Sequence, residues 1–431
     1  MEPGRLPEWL ESPSSSPSPF SCFKTVPLVL KKKALISIFI CLLLVALLAT
    51  QHREIVDHVQ SLPNKLLRNS HEDVYNSTLG FEKIIAIGFP SRTDRRDAVI
   101  LAASFTKMEV EWEAGVSFEE VPVNAAPFTW DFETQTTGAL GSWRAHMNVL
   151  QRIVRENIQT TLIIEDDADW DIHLKSQMSE MAYGLRALQQ APRPTRSPYG
   201  PAWDMLWLGH CRVGTNDDEQ GFWVVDDDIT VAPTVNRTSF FRNKHSPEIT
   251  RRNNTRIFFH ANAGMCVQAY AVTYDGARKM LAAISLQPRN QPFDVSVSAI
   301  CRHKFLDPFD CYGAFPPLFS THRFAGPTSR DSDISIAEDP DLIHEEYTKD
   351  LVYSTIMNIP RLVQGLNSVQ PQFKDQNIPD QPFLPDARPP PKGYLQTIVM
   401  YNETILPTST EASTQAPTQT VSSVSHSPSK L

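Results

Sequence analysis

The chain has 431 residues, 41% of them apolar, enough for one large domain or two ordinary ones once tails are set aside. Its formal net charge of −9 argues against nucleic acid as the main partner, because a phosphate-binding surface needs a clear basic excess. No repeat period or heptad array is visible.

Residues 1–33 include the Ser/Pro segment ESPSSSPSPF, too poor in apolar side chains to fold, and read as a disordered cytosolic tail. Lys31, Lys32 and Lys33 then precede an uncharged apolar run over residues 34–50. About 17 residues is the short end of what spans a bilayer. No polar face interrupts the run, which disfavours a buried core helix. The long preceding tail and the lack of a small-x-small exit disfavour a cleavable signal peptide. The expectation is a type II signal anchor, with the lysines holding the N-terminus in the cytosol and everything after Gln51 lumenal. A short span suits the thinner membranes of the Golgi or ER.

Acceptor sequons at Asn76, Asn236, Asn253 and Asn402 all fall on the expected lumenal side. Of six cysteines, Cys22 is cytosolic and Cys41 lies in the apolar run, leaving Cys211, Cys266, Cys301 and Cys311. Four cysteines allow three pairings. Cys211 with Cys266, each in an expected core strand region, and Cys301 with Cys311, closing a local loop, are favoured over free buried thiols.

Residues 51–80 read as a polar lumenal stem, 81–366 as the folded domain, and 367–431 as a Pro/Ser/Thr-rich tail whose proline-dense start resists regular structure. Within the domain, KIIAIGF is a continuous apolar strand, RRDAVILAASF a helix and VEWEAGV a second strand. In GSWRAHMNVLQRIVREN, Trp143, Met147, Leu150 and Val154 recur at helical spacing. TTLIIED is a strand, IHLKSQMSEMAYGLRALQQ a helix, DMLWLGH and AGMCVQAYAVT strands, and DGARKMLAAIS a helix. The proline-rich QQAPRPTRSPYGPAW reads as a surface loop, and TNDDEQGFWVVDDDIT through NKHSPEITRRNNTR as a lid or decorated insertion. This alternation implies an α/β fold with a mostly parallel sheet flanked by helices. Such sheets bind ligands beyond the C-terminal ends of their strands.

One such end carries Glu165, Asp166, Asp167 and Asp169 in LIIEDDADW. In an extended chain Glu165, Asp167 and Asp169 share a face and Asp166 takes the other. Carboxylates so close repel one another unless something positive lies among them. Mn²⁺ or Mg²⁺, held by one or two of them with positions left for a diphosphate, would resolve this. Capping of the next helix by Asp169 or Asp171 is the alternative, and it explains one or two acids rather than four.

A strand ending in E-D-D, preceded by a helix with Gly138, Gly141 and His146 in GALGSWRAH, resembles glycosyltransferase family 25, which includes lipopolysaccharide-biosynthesis and collagen galactosyltransferases. IAIGFPSRTDRR, AYAVTYDGARKML, QPFDVSVS and PPLFSTHRFAGPTSRDSDI are similar to other family segments in the same order. With the anchor, the chain looks like a fungal-type membrane-anchored member. The resemblance implies a GT-A-like fold and inverting, metal-assisted transfer of a hexose such as galactose from a nucleotide sugar to a glycan or glycoprotein. It also implies roles. Asp167 is the first-choice metal ligand, with Asp169 next and His322 a candidate third; Asp166 or Glu165 would contact the ribose. Arg92, Asp94 and Arg95 would face the nucleotide, or form a helix start capped by Thr93 or Asp94. His146 would lie near the donor or fill the core. Asp294 would take the acceptor proton, or cap its own helix. Ser142 and Ala145 stand where the family usually has Cys and Ser, and the turn at Gly88, Phe89 and Pro90 is altered. A catalytically silent, membrane-anchored binding glycoprotein is the rival reading.

Overall fold

Strand β1 (Lys83–Gly88) is buried from Ile84 to Ile87, because helices cover both of its faces. Ile85 and Ile87 join one core and Ile84 and Ala86 another, as the period of two requires. The computed structural model describes residues 70–399, apart from 192–194, 216–218, 242–245, 287–290, 303–307 and 336. The expected tail, anchor and most of the stem, and the end of the chain from residue 400, lie outside the described residues. Among those described, no helix is long and apolar enough to cross a membrane.

The main strands are β1, β2 (Glu111–Ala114), β3 (Thr160–Glu165), β4 (Ala168–Trp170), β5 (Met205–Gly209), β6 (Arg212–Gly214), β7 (Glu219–Val225), β8 (Arg256–His260), β9 (Ala263–Met265), β10 (Ala269–Thr273), β11 (Cys311–Phe315) and β12 (Phe319–Arg323). Short pieces follow: β13 (Gly326–Pro327), β14 (Ile343–His344), β15 (Tyr347–Thr348), β16 (Ser368–Val369), β17 (Gln381–Pro382) and β18 (Tyr394–Val399). The central sheet has the order β18-β7-β8-β11-β5-β10-β3-β1-β2. Following the pairings, β1, β2, β3, β5, β7 and β11 point one way, and β8, β10 and β18 the other. The mixed α/β architecture with a mostly parallel central sheet is thus present. Its reversed β10 sits between β3 and β5.

Helices α1 (Thr93–Thr106) and α3 (Leu174–Leu188) cover one face; α2 (Thr137–Glu156), α4 (Tyr274–Ser285) and α5 (Phe293–Cys301) cover the other. The expected stripe of α2 is buried at Trp143, Met147 and Leu150. Thr136 caps it by accepting from the Ala139 N–H at 3.2 Å. Both favoured disulfides, Cys211–Cys266 and Cys301–Cys311, are present.

Three expectations need correction. The stretch read as a lid contains β7, which enters the central sheet with Phe222 and Val224 fully buried; apolar alternation outweighs the flanking charge. AGMCVQAYAVT is two strands, broken where Cys266 takes a left-handed φ of 62°. The segment expected to be an irregular tail packs on the domain. α6 (Thr355–Val363) leads into β16 and β17; Glu180 accepts from the Lys392 N–H at 2.6 Å; and β18 extends the sheet along β7. Lys107 and Lys175 both bind Asp386. We therefore expect a chain ending at Leu366 to be less stable than one ending at Val399 by about 3 kcal/mol or more, from lost burial and an uncovered sheet edge. Comparing thermal melts of the two checks this.

Candidate functional site

Strand β3 ends at Glu165 and the chain turns at Asp166 and Asp167 before β4 begins. The turn ends the alternation assumed for the four acids. Glu165, Asp166 and Asp167 line a cleft of about 270 Å³ beyond the C-terminal ends of β1, β2 and β3, whereas Asp169 does not. Close approaches shape this cleft. A Cβ on Gly88 would fall 2.5 Å from the Asp166 Cβ, so only glycine lets that carboxylate fold over the end of β1. One turn apart on α2, Gly138 and Gly141 give the G-x-x-G spacing its reason. A Cβ on Gly138 would lie 2.5 Å from the Ile334 Cα, and one on Gly141 would strike the Val116 carbonyl oxygen.

Each cleft acid has its own partner. Arg95 Nη1 donates to Asp166 at 2.8 Å, and Arg323 Nη1 to Asp167 Oδ2 at 2.7 Å. The other Asp167 oxygen, Oδ1, is buried with no hydrogen-bond partner. Glu165 lies 3.4 Å from His146 Nε2, and His146 Nδ1 is 3.2 Å from the Tyr270 hydroxyl. Phe293 stacks on the His146 ring at 4.5 Å. His146 is therefore both core and site: its ring is buried, and one edge reaches a cleft carboxylate. Burial pushes the Asp166 carboxyl up to about 6, aided by the Asp167 charge and opposed by Arg95.

Arg92, Asp94 and Arg95 follow β1 as expected. Arg92 donates to both Asp94 oxygens at 3.0 Å and to Asp333 at 2.6 Å, and Arg95 is 3.0 Å from the same Asp333 oxygen. The hydrogen bond from Arg92 holds the Asp94 carboxyl down at about 2. Neither Thr93 nor Asp94 caps α1; Arg92 occupies the cap position, with no side-chain cap bond.

The proposed ligand set Asp167, Asp169 and His322 does not converge. Asp169 is fully buried and accepts from the hydroxyls of Thr348 and Ser354 and from the Ile356 N–H. Burial raises its pKa. His322 Nδ1 pairs with Thr348 at 2.8 Å, and Nε2 is 3.3 Å from Glu346. Asp171 accepts from the Tyr353 and His173 N–H groups. Asp169 and Asp171 thus anchor the segment that enters α6, a role the capping alternative came near. Among the described residues no group of three or more His, Cys, Asp or Glu side chains is placed to hold a metal ion. Asp294 lies outside the cleft lining. Its Oδ2 accepts from the Cys266 N–H at 2.7 Å and its Oδ1 from Val295, so it steadies the disulfide-bearing turn rather than capping its own helix.

Sequence reasoning missed Arg323, Asp333 and Tyr270. Arg323 is next to the chosen His322, and along β12 neighbours face opposite sides; the buried side went to the histidine.

Residues 83–297 match the family model for glycosyltransferase family 25 (LPS biosynthesis protein). The described domain therefore carries a family 25 glycosyltransferase segment. The chain is 20% identical to procollagen galactosyltransferase 2 of Mus musculus over 40% of this chain and 28% of that protein. It is 26% identical to a glycosyltransferase 25 family member of Anopheles gambiae over 34% and 25%, and 23% identical to the inactive glycosyltransferase 25 family member 3 of Homo sapiens over 32% and 23%. The matched chain spans about a quarter of the length of these relatives.

Two expectations follow from the divided acids. Asp169→Asn should lower stability by about 2–4 kcal/mol, since it disturbs a buried, fully bonded carboxylate; a thermal or urea melt measures it. Because the Asp166 pKa is raised in the folded state, the proton favours folding. Its contribution is full below the ordinary 3.8 and is lost as pH rises through about 6. Asp350, also pushed up to about 6 by burial, acts in the same window. The melting temperature of the ligand-free protein should therefore fall between about pH 4 and 6, with Asp166→Asn and Asp350→Asn each removing part of the slope.

Proposed function

We propose that this protein is a membrane-anchored glycosyltransferase of the Golgi or ER that moves a hexose, such as galactose, from a nucleotide sugar to a glycan or glycoprotein, with inversion. The observation that carries this reading is the buried, unpartnered Asp167 Oδ1 in a cleft beyond the strand ends. A carboxylate oxygen without a donor is costly there, and its chemistry fits a hard cation bound by one or two carboxylates and completed by substrate phosphates. Mn²⁺ or Mg²⁺ would be held by Asp167, with Glu165 on the same cleft wall, and would neutralise charge on the leaving diphosphate. Asp169 and His322, committed to the buried network, are left out of that set.

The chain's own residues supply the rest. Arg95 and Arg92 offer fixed guanidinium donors to phosphate oxygens. The Tyr270–His146 pair orients Glu165 for a ribose or sugar hydroxyl. Asp294 remains the proposed proton acceptor. It neighbours Phe293, which stacks on His146, and it holds the turn before β10, whose start lies beside the C-terminal end of β3. Each of its oxygens accepts one hydrogen bond from a backbone N–H, which leaves lone pairs for an incoming hydroxyl.

The second reading, a fold kept for binding without turnover, draws on Ser142 and Ala145, which line the cleft in place of the family's usual Cys and Ser. Incubating the purified full-length protein with UDP and GDP sugars and Mn²⁺, and following nucleotide release, separates the two. We expect metal-dependent release that Asp167→Asn reduces at least about 100-fold, as for loss of a transition-state electrostatic contact, while the variant still melts cooperatively as a folded protein. Asp294→Asn should lower kcat and leave the donor KM near its original value. Saturable nucleotide binding with no release by the unaltered protein would favour the silent reading.

A further inference from the structure

A single oxygen of Asp333 lies 2.6 Å from Arg92 Nη1 and 3.0 Å from Arg95 Nη1. Two guanidiniums converging on one oxygen is an arrangement suited to a phosphoryl group. The surrounding groups are already placed. Asp94 binds the other nitrogens of Arg92, Asp166 shares Arg95 Nη1 with Asp333, and the Arg330 and Asp331 carbonyls take one N–H each from Arg92 Nη2 and Arg95 Nη2. Arg330 also approaches Asp94 at 3.6 Å. Asp333 is the carboxylate brought in by the distant segment that also supplies the Arg330 and Asp331 carbonyls. It comes from the turn Asp331–Ser335, in which the Ser332 hydroxyl accepts from the Ile334 and Ser335 N–H groups. The same turn lays the Ile334 backbone against Gly138 at the start of α2, so it crosses from the first turn of α1 to that of α2. Ser332, Asp333 and Ile334 line the cleft together with Arg95 and the acids after β3.

We infer that Asp333 is a built-in substitute for the donor's diphosphate, and that the Asp331–Ser335 turn must leave the two arginines before a nucleoside diphosphate can occupy them. This rests on reading the cleft as a nucleotide-sugar site, and it adds the anion subsite and the residue that competes for it. Arg92 and Arg95 are 17% and 7% exposed at the side chain, and Asp333 is 33% exposed. The arginines are therefore shielded while the carboxylate is the more accessible partner, the one an incoming anion can replace. A site open for only part of the time binds its ligand more weakly by that fraction. Removing the Asp333 charge should raise the fraction and tighten binding.

The probe is inorganic pyrophosphate with Mn²⁺, titrated calorimetrically into the full-length protein and into Asp333→Asn and Asp333→Ala, each checked by its melt. The expected result is binding about tenfold tighter in both variants. In the unaltered protein, saturating pyrophosphate should also speed hydrogen exchange at the Ile334 and Ser335 amides. Equal or weaker binding by the variants, no binding by any form, or slower exchange at those amides would overturn the inference. The two readings fail separately. Tightened pyrophosphate binding with no sugar transfer from any donor removes the transferase and keeps the subsite; transfer with unchanged pyrophosphate affinity does the reverse.

Discussion

The turn at Asp166–Asp167 decides what the molecule can do, because it divides four neighbouring carboxylates between two environments. Had β3 continued straight, Glu165, Asp167 and Asp169 would have stood on one face and Asp166 on the other. With the turn, Glu165, Asp166 and Asp167 meet the cleft and Asp169 enters the interior beneath β12. Each group is then balanced differently. Asp166 and Asp167 have arginines, whereas Asp169 has hydroxyl and amide donors from the segment entering α6. One half of the motif is available to a ligand, and the other half holds the C-terminal part of the chain in place.

That division links stability to the site. β12 pairs with β4 and, through the His322 N–H, with the Asp167 carbonyl, so the backbone of the turn is fixed from behind. The next residue, Arg323, then reaches the Asp167 side chain from the front. Loosening the Asp169 network would move the strand that delivers Arg323. The buried histidine is thus a support for the cleft, acting through its neighbour in sequence.

Much of the fold was legible because it follows from local pattern. The unbroken apolar runs of β1 and β3, the helical stripe of α2 and the pairing of the four cysteines all express burial within short segments. What escaped depends on partners far along the chain. β7 is a short apolar run between charged flanks, and its pairing with β8 and β18 is what places it in the central sheet. The C-terminal segment looks irregular by composition, yet Glu180 and Lys175 of α3 supply its contacts. For the site, the acids after β3, the α1 arginines and His146 could be found by position at the strand ends. Arg323 and Asp333 could not, since their roles arise 156 and 241 residues away from Asp167 and Arg92 respectively.

The charge balance of the cleft constrains its ligand. Asp166 and Asp167 pair with Arg95 and Arg323, Asp333 shares Arg92 and Arg95 with Asp94 and Asp166, and Glu165 adds a further acid beside His146. A bare anion would meet carboxylates, and a bare cation would meet guanidiniums. A diphosphate carrying a divalent ion brings both signs at once. In the proposed site it would exchange partners with the existing pairs, phosphate for Asp333 on the arginines, and would bring a cation to the unpartnered Asp167 Oδ1. A ligand of one sign alone would strand a buried group, so under the proposed function the metal and the nucleotide would bind together.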